Sequence, residues 1–166
     1  MRLWAILLAS LVVAGAATAA DHRRISAGGV HVLVPAGWRS FEPLQNSVID
    51  DPRTLLVVGT AGIGDNPASV CQIAAYRIPA RGAVVVIVGW KDPALSGTSG
   101  PTGRAPLRKL VGVAPRIFEC FAGRGAVATV RLGRKAFQVN VMVGNRATPA
   151  RVNEALAVAR SFDLSR

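Results

Sequence analysis

Residues 125–143 read GAVATVRLGRKAFQVNVMV, and the alternation inside this stretch decides the fold class. Two runs of β-forming residues, Gly125 to Leu132 and Ala136 to Val143, flank Gly133, Arg134 and Lys135. The spacing predicts an antiparallel hairpin whose short turn is drawn from these three. Side chains alternate across a strand with period two. Ala126, Ala128, Val130 and Leu132 therefore share one face with Phe137, Val139, Val141 and Val143. Thr129, Arg131, Gln138 and Asn140 fall on the other, which is expected to be wet or bound to a partner. The apolar face needs a cover, and the next segment supplies one. Thr148 is placed to cap a helix and Pro149 suits its first position, after which Val152, Ala155, Leu156, Ala159 and Phe162 recur at helical spacing.

Upstream, Gly29 to Pro35 reads as a first strand with Val30, Val32 and Val34 on one face and His31 and Leu33 on the other. Trp38, after the Pro35-Ala36-Gly37 stop, is expected in the core. Leu55 to Val58 is a short apolar strand, Ala61 to Pro67 a glycine-rich turn, and Ala68 to Arg77 a short helix. Ala83 to Val88 is a β-branched run leading to Trp90, and Lys91 to Pro106 is a loop broken by prolines and glycines. Strands followed by a helix, with no regular βαβ alternation, give an α+β class: an antiparallel sheet packed with helices.

Two stretches carry a likeness to a known family. The opening G-V-H-V-L-V-P-A-G-W of residues 29–38 and the closing A-R-S-F of residues 159–162 resemble the PsbP-like domain. The resemblance implies an α/β/α sandwich around an antiparallel sheet and a role in binding or scaffolding. It carries over no catalytic residue, and a fold likeness alone assigns no ligand.

The chain has 166 residues, 51% of them hydrophobic, enough for one buried core and too few for two ordinary domains. Arg2, the apolar run Leu3 to Val13 and Ala17-Thr18-Ala19 have the three-part pattern of a secretory signal peptide. Cleavage is expected after Ala19, leaving 20–166 as a single exported α+β domain at the cell envelope or outside the cell. The competing reading keeps Leu3 to Ala20 as an N-terminal membrane anchor. Cys71 and Cys120, an even pair in an exported chain, are expected to form a disulfide. Neither sits in a C-x-x-C motif, and the only histidines are His22 and His31, so no metal site is expected.

Twenty Lys and Arg face nine Asp and Glu, for a formal charge of +11. Arginine dominates that set, and two readings of the skew stay open: a compositional bias that also enriches Ala, Gly and Val, or selection for guanidinium groups that grip anions. The cations concentrate between Arg104 and Lys135: Arg104, Arg108, Lys109, Arg116, Arg124, Arg131, Arg134 and Lys135 against Glu119 alone. Arg104, Arg108, Lys109, Arg131, Arg134 and Lys135 are the candidate binding residues. The partners this chemistry suits are an anionic envelope polymer, a lipid surface or an acidic protein. Nucleic acid is not expected, because only Phe118 and Phe121 in the stretch could stack on bases.

Enzyme motifs fall short of their patterns. Gly62 and Gly64 imitate a dinucleotide-binding loop, but Pro67 stands in the third glycine's place, so no cofactor is expected. Gly97-Thr98-Ser99-Gly100 misses the nucleophile elbow because Pro101 replaces its last glycine. The alternative function is a small secreted hydrolase whose residues, Ser99 or paired carboxylates, converge only in the fold.

Overall fold

Gly28 and Gly29 adopt left-handed backbone, with φ of 58° and 78°, and turn the chain between β1 (Arg23–Ala27) and β2 (Val30–Val34). Glycine takes positive φ without a Cβ clash, so this pair specifies a tight hairpin. The computed structural model describes residues 21–44, 51–97, 102–118 and 121–165. β2 is the expected first strand, and Val30, Val32 and Val34 are buried as read. β1 is absent from the sequence reading, because RRISA buries only Ile25.

β3 (Trp38–Phe41) buries Trp38 and precedes β4 (Arg53–Thr60). The expected helix over Ala68 to Arg77 does not form. In its place, β5 (Gly64–Asp65) pairs with β6 (Tyr76–Arg77), and a single 3-10 turn covers Ile73–Ala75. Local polar groups take the backbone bonds a helix would need: Asn66 N–H and Asn66 Nδ2 donate to Ala75 O and Ala74 O, and Ser69 Oγ accepts from Cys71 N–H. Asn and Ser compete with helices in this way. Gln72 is buried, and its amide oxygen accepts from Thr54 Oγ1, which pins the segment to β4.

β7 (Ala83–Trp90) follows, then a 3-10 turn at Pro93–Ser96 and the one-turn α1 (Ala105–Arg108), both inside the segment read as loop. β8 (Ala114–Phe118) leads to the expected hairpin, β9 (Phe121–Leu132) and β10 (Lys135–Val143), whose turn uses Gly133 at φ 60°. α2 (Pro149–Arg160) begins as predicted: Thr148 Oγ1 accepts from Arg151 N–H at 3.2 Å. β11 (Asp163–Leu164) ends the described chain.

The main sheet has six strands in the order β3-β4-β7-β10-β9-β8, all neighbours antiparallel. β4 and β7 therefore cannot be halves of a parallel dinucleotide-binding unit. A second sheet, β1-β2-β11, packs with α2 on one face of the first. That face holds Val85, Ile87, Val139, Val141 and Phe137, and Phe137 meets Phe162 edge-on with ring centroids 5.3 Å apart. Such a pair contributes about 1 kcal/mol beyond its buried area.

The opposite face holds Val84, Val86, Val88 and Met142 beneath Ile63, Ile73 and Tyr76. The expectation of a wet hairpin face is corrected at Asn140, which this cover buries, while Thr129, Arg131 and Gln138 stay partly exposed. Asn140 is fully buried there, its Nδ2 donating to Val86 O at 3.3 Å and its Oδ1 accepting from Gln138 Nε2 at 2.7 Å. A buried amide is tolerated when its groups are bonded, as these are. No described helix is long and apolar enough to cross a membrane.

Candidate anion-binding site

At the end of the main sheet where β4 begins and β7 finishes, cations from different strands meet. Antiparallel register sets Arg53 opposite Gly89 and Ala136 opposite Trp90. The next residues outward, Lys91 and Lys135, therefore leave the sheet at the same end. Arg53, Lys91 and Lys135 line a pocket of about 170 Å³ whose other walls are Gly28, Gly29, Val30, Leu55, Gly89, Trp90 and Phe137. All three cations are exposed, and none has a carboxylate partner among the described residues.

A β-bulge shapes the floor. The β4–β7 register shifts between Thr54 and Leu56, which turns Leu55 toward the core that Leu56 also faces. A Cβ on Gly28 would stand 2.9 Å from Leu55 Cβ, and one on Gly89 would stand 2.6 Å from Leu55 Cδ1. Gly28, at positive φ against Leu55 Cβ and backbone, has to be glycine for the hairpin turn to come this close, while a Cβ at Gly89 would displace the tip of the Leu55 side chain. Asp51 fixes the exit of β7, its two carboxylate oxygens accepting from Lys91 N–H at 2.8 Å and Asp92 N–H at 3.1 Å. Asp92 in turn accepts from Ala94 N–H at 2.9 Å. Both carboxylates are spent on backbone, and neither lines the pocket.

The candidate residues from the sequence divide. Lys135 lines the pocket, and Arg134 stands beside it, exposed in the β9–β10 turn. Arg108 and Lys109 are exposed at the end of α1, which packs on β9. Arg104, half-buried at the start of α1, pairs with Asp163 at 2.8 Å and donates to Arg160 O at 2.8 Å, so its guanidinium ties β11 and the end of α2 to α1. Arg131 is half-buried, with its Nε shielded from solvent and without a hydrogen-bond partner. Arg124 pairs in register with Val143, nine residues along β9 from Gly133 and so about 30 Å from the turn. The run Arg104 to Lys135 is therefore not one patch. Arg53 and Lys91 are the site residues that sequence reasoning missed, because they join Lys135 through strand pairing and not through proximity in the chain.

The hydrolase residues fare as follows. Ser99, Asp50 and Glu119 lie outside the described residues, as does Cys120 of the expected disulfide. Register does put Ser26, His31 and Asp163 side by side across β1, β2 and β11, a serine–histidine–aspartate row. The row is not wired for catalysis. His31 Nδ1 is buried without a hydrogen-bond partner, and Asp163 is held by Arg104 and by Leu164 N–H at 2.9 Å. A triad needs the carboxylate on the histidine and the histidine on the serine. Among the described residues no cluster of His, Cys, Asp and Glu could hold a metal. No protein-family model matches the chain, and no curated protein matches it either.

Proposed function

We propose that the protein is a non-catalytic binding domain of the cell envelope that holds an anionic polymer against the cationic end of its main sheet. The observation that carries this reading is the set Arg53, Lys91, Arg134 and Lys135: four exposed cations at one sheet end with no carboxylate partner among the described residues. Unpaired cations gathered at one end attract polyanions, whereas paired ones would only solvate the surface. The signal-peptide pattern supports an envelope location, and the PsbP-like resemblance supports a binding role on a sandwich fold. The Cys71–Cys120 disulfide belongs to the same reading. It is supported by Phe121, the neighbour of Cys120 in sequence, which packs against the cluster containing Ile73, two residues from Cys71.

The test is retention of the domain on its own envelope fraction at low and high salt. Strong retention at 50 mM salt, released by about 0.5 M, is expected, since salt at that level screens charges beyond a few ångströms. The double variant Arg134→Glu, Lys135→Glu changes two exposed side chains of this set and should lower retention at least fivefold without altering the melting temperature. Equal retention of wild type and variant would overturn the reading.

A further inference from the structure

The small sheet and the main sheet each end on an unpaired strand, β1 and β3. These two edges flank a groove of about 340 Å³ whose lining includes Ile25, Ser26, Ser40, Glu42, Pro43 and Leu56, within the roughly 300–1,000 Å³ range of ligand sites. Arg23 bridges the two edges, its Nη2 donating to Trp38 O at 3.0 Å. Pairing decides which backbone groups face outward. In an antiparallel hairpin alternate residues turn N–H and C=O toward the partner strand, and those between turn both away. Leu33 turns away from β1, since its N–H donates to Ser161 Oγ at 2.8 Å. Its register partner Arg24 therefore turns away from β2, and so does Ser26 two residues on. On β3, Trp38 turns away from β4, its N–H donating to Pro35 O and its C=O accepting from Arg23. Ser40 follows by the same period of two. Trp38 has both groups in use, so β3 offers one open residue and β1 offers two. The outward backbone groups of Arg24 and Ser26 have no partner among the described residues.

A strand added to β1 inherits its alternation. Side chains opposite Arg24 and Ser26, both exposed, stand on the outer face, and one opposite the buried Ile25 points into the groove toward Leu56. Arg24 has no carboxylate partner among the described residues. Opposite charges directly across a strand pair attract, so the fitting segment is acidic outward and apolar inward. A second copy of the chain fits poorly, because each carries a formal charge of +11. We infer that the free edge of β1 is a docking site for an extended segment of an acidic protein, which joins the small sheet as a fourth strand. Main-chain bonds at Arg24 and Ser26 supply affinity, and the alternating acidic and apolar side chains supply specificity. The edge uses none of Arg53, Lys91, Arg134 or Lys135, so it stands or falls independently of the polymer reading.

The experiment is a titration of ¹⁵N-labelled protein with the end-blocked hexapeptide Glu-Val-Glu-Val-Glu-Val, read as hydrogen exchange at the amides of Arg24 and Ser26. Both amides should slow tenfold or more at saturation. The peptide residues facing Arg24 and Ser26 are the glutamates, so N-methylation of the glutamates should weaken binding tenfold or more while N-methylation of the valines leaves it within threefold. Ser26→Pro removes an outward N–H and no ladder bond, and Arg24→Glu reverses an exposed charge; each should weaken the peptide tenfold or more at an unchanged melting temperature. Arg134→Glu with Lys135→Glu should leave it within twofold. Unchanged exchange at Arg24 and Ser26 overturns the docking site, and equal binding of the two methylated peptides overturns strand addition. Equal binding of Lys-Val-Lys-Val-Lys-Val overturns the acidic partner. So does a dimer in sedimentation whose formation protects the same two amides without peptide, which assigns the edge to a second copy.

Discussion

Tyr76 is the single tyrosine of the chain and is buried, with its hydroxyl oxygen accepting Leu44 N–H at 3.1 Å. Burial pushes its pKa above the ordinary value of 10.0; the Leu44 bond opposes this and the charge of Asp65 adds to it. The unfolded phenol loses its proton near pH 10 while the folded one keeps it, so the folded state binds more protons above that pH. Stability should be unaffected below pH 10 and fall as pH rises beyond it. Urea unfolding from pH 8 to 11 checks this, with tyrosinate absorbance at 295 nm reporting Tyr76 alone. Tyr76→Phe should flatten the alkaline part of the fall attributable to this group and cost about 1 kcal/mol at pH 8 for the lost acceptor. At this scale the sequence was readable where period two repeats, as in Val30, Val32 and Val34. It was silent on Arg53 and Lys91, which carry no local pattern and acquire meaning only when β4, β7 and β10 are in register.

Elements with strong internal signals were legible, and those made by partners were not. The hairpin β9–β10 and helix α2 were evident because their turn glycine, cap and periodicity are written in neighbouring residues. Thr148→Ala should destabilise the domain by about 1 kcal/mol by removing the bond from Arg151 N–H, visible as a lower urea midpoint with an unchanged slope. The segment Ala68 to Arg77 misled because its composition permits a helix, while Asn66, Ser69 and Gln72 bind the backbone and β4 instead. β1 and β11 have almost no apolar periodicity. They are strands because β2 offers both its edges, a long-range fact that propensity does not record. Asn140 shows the converse: alternation placed it on the right face, but whether that face is wet depends on what segment 63–76 covers.

For the whole molecule, the Cys71–Cys120 bridge of the proposed reading closes a 50-residue loop that contains β7 and the exit of Lys91. On the chain-entropy model such a closure stabilises the fold by about 4 kcal/mol. Thiol titration of native protein should find no free thiol, and reduction should lower stability by an amount of that order in urea unfolding. Two titratable thiols in the native protein would remove the bridge. The main sheet is independent of the chain ends, whereas the small sheet joins them: β2 lies between β1 and β11, and Ser165 N–H reaches Gly29 O. That closure bears on the order of folding. β2 meets β1 across a two-residue turn but meets β11 only when residues as far apart as His31 and Asp163 come together, so loop-closure entropy leaves one edge of β2, and the carbonyl that steadies the Gly28-Gly29 turn, without a partner until late in folding. Until then that edge is an open template on which another strand can pair.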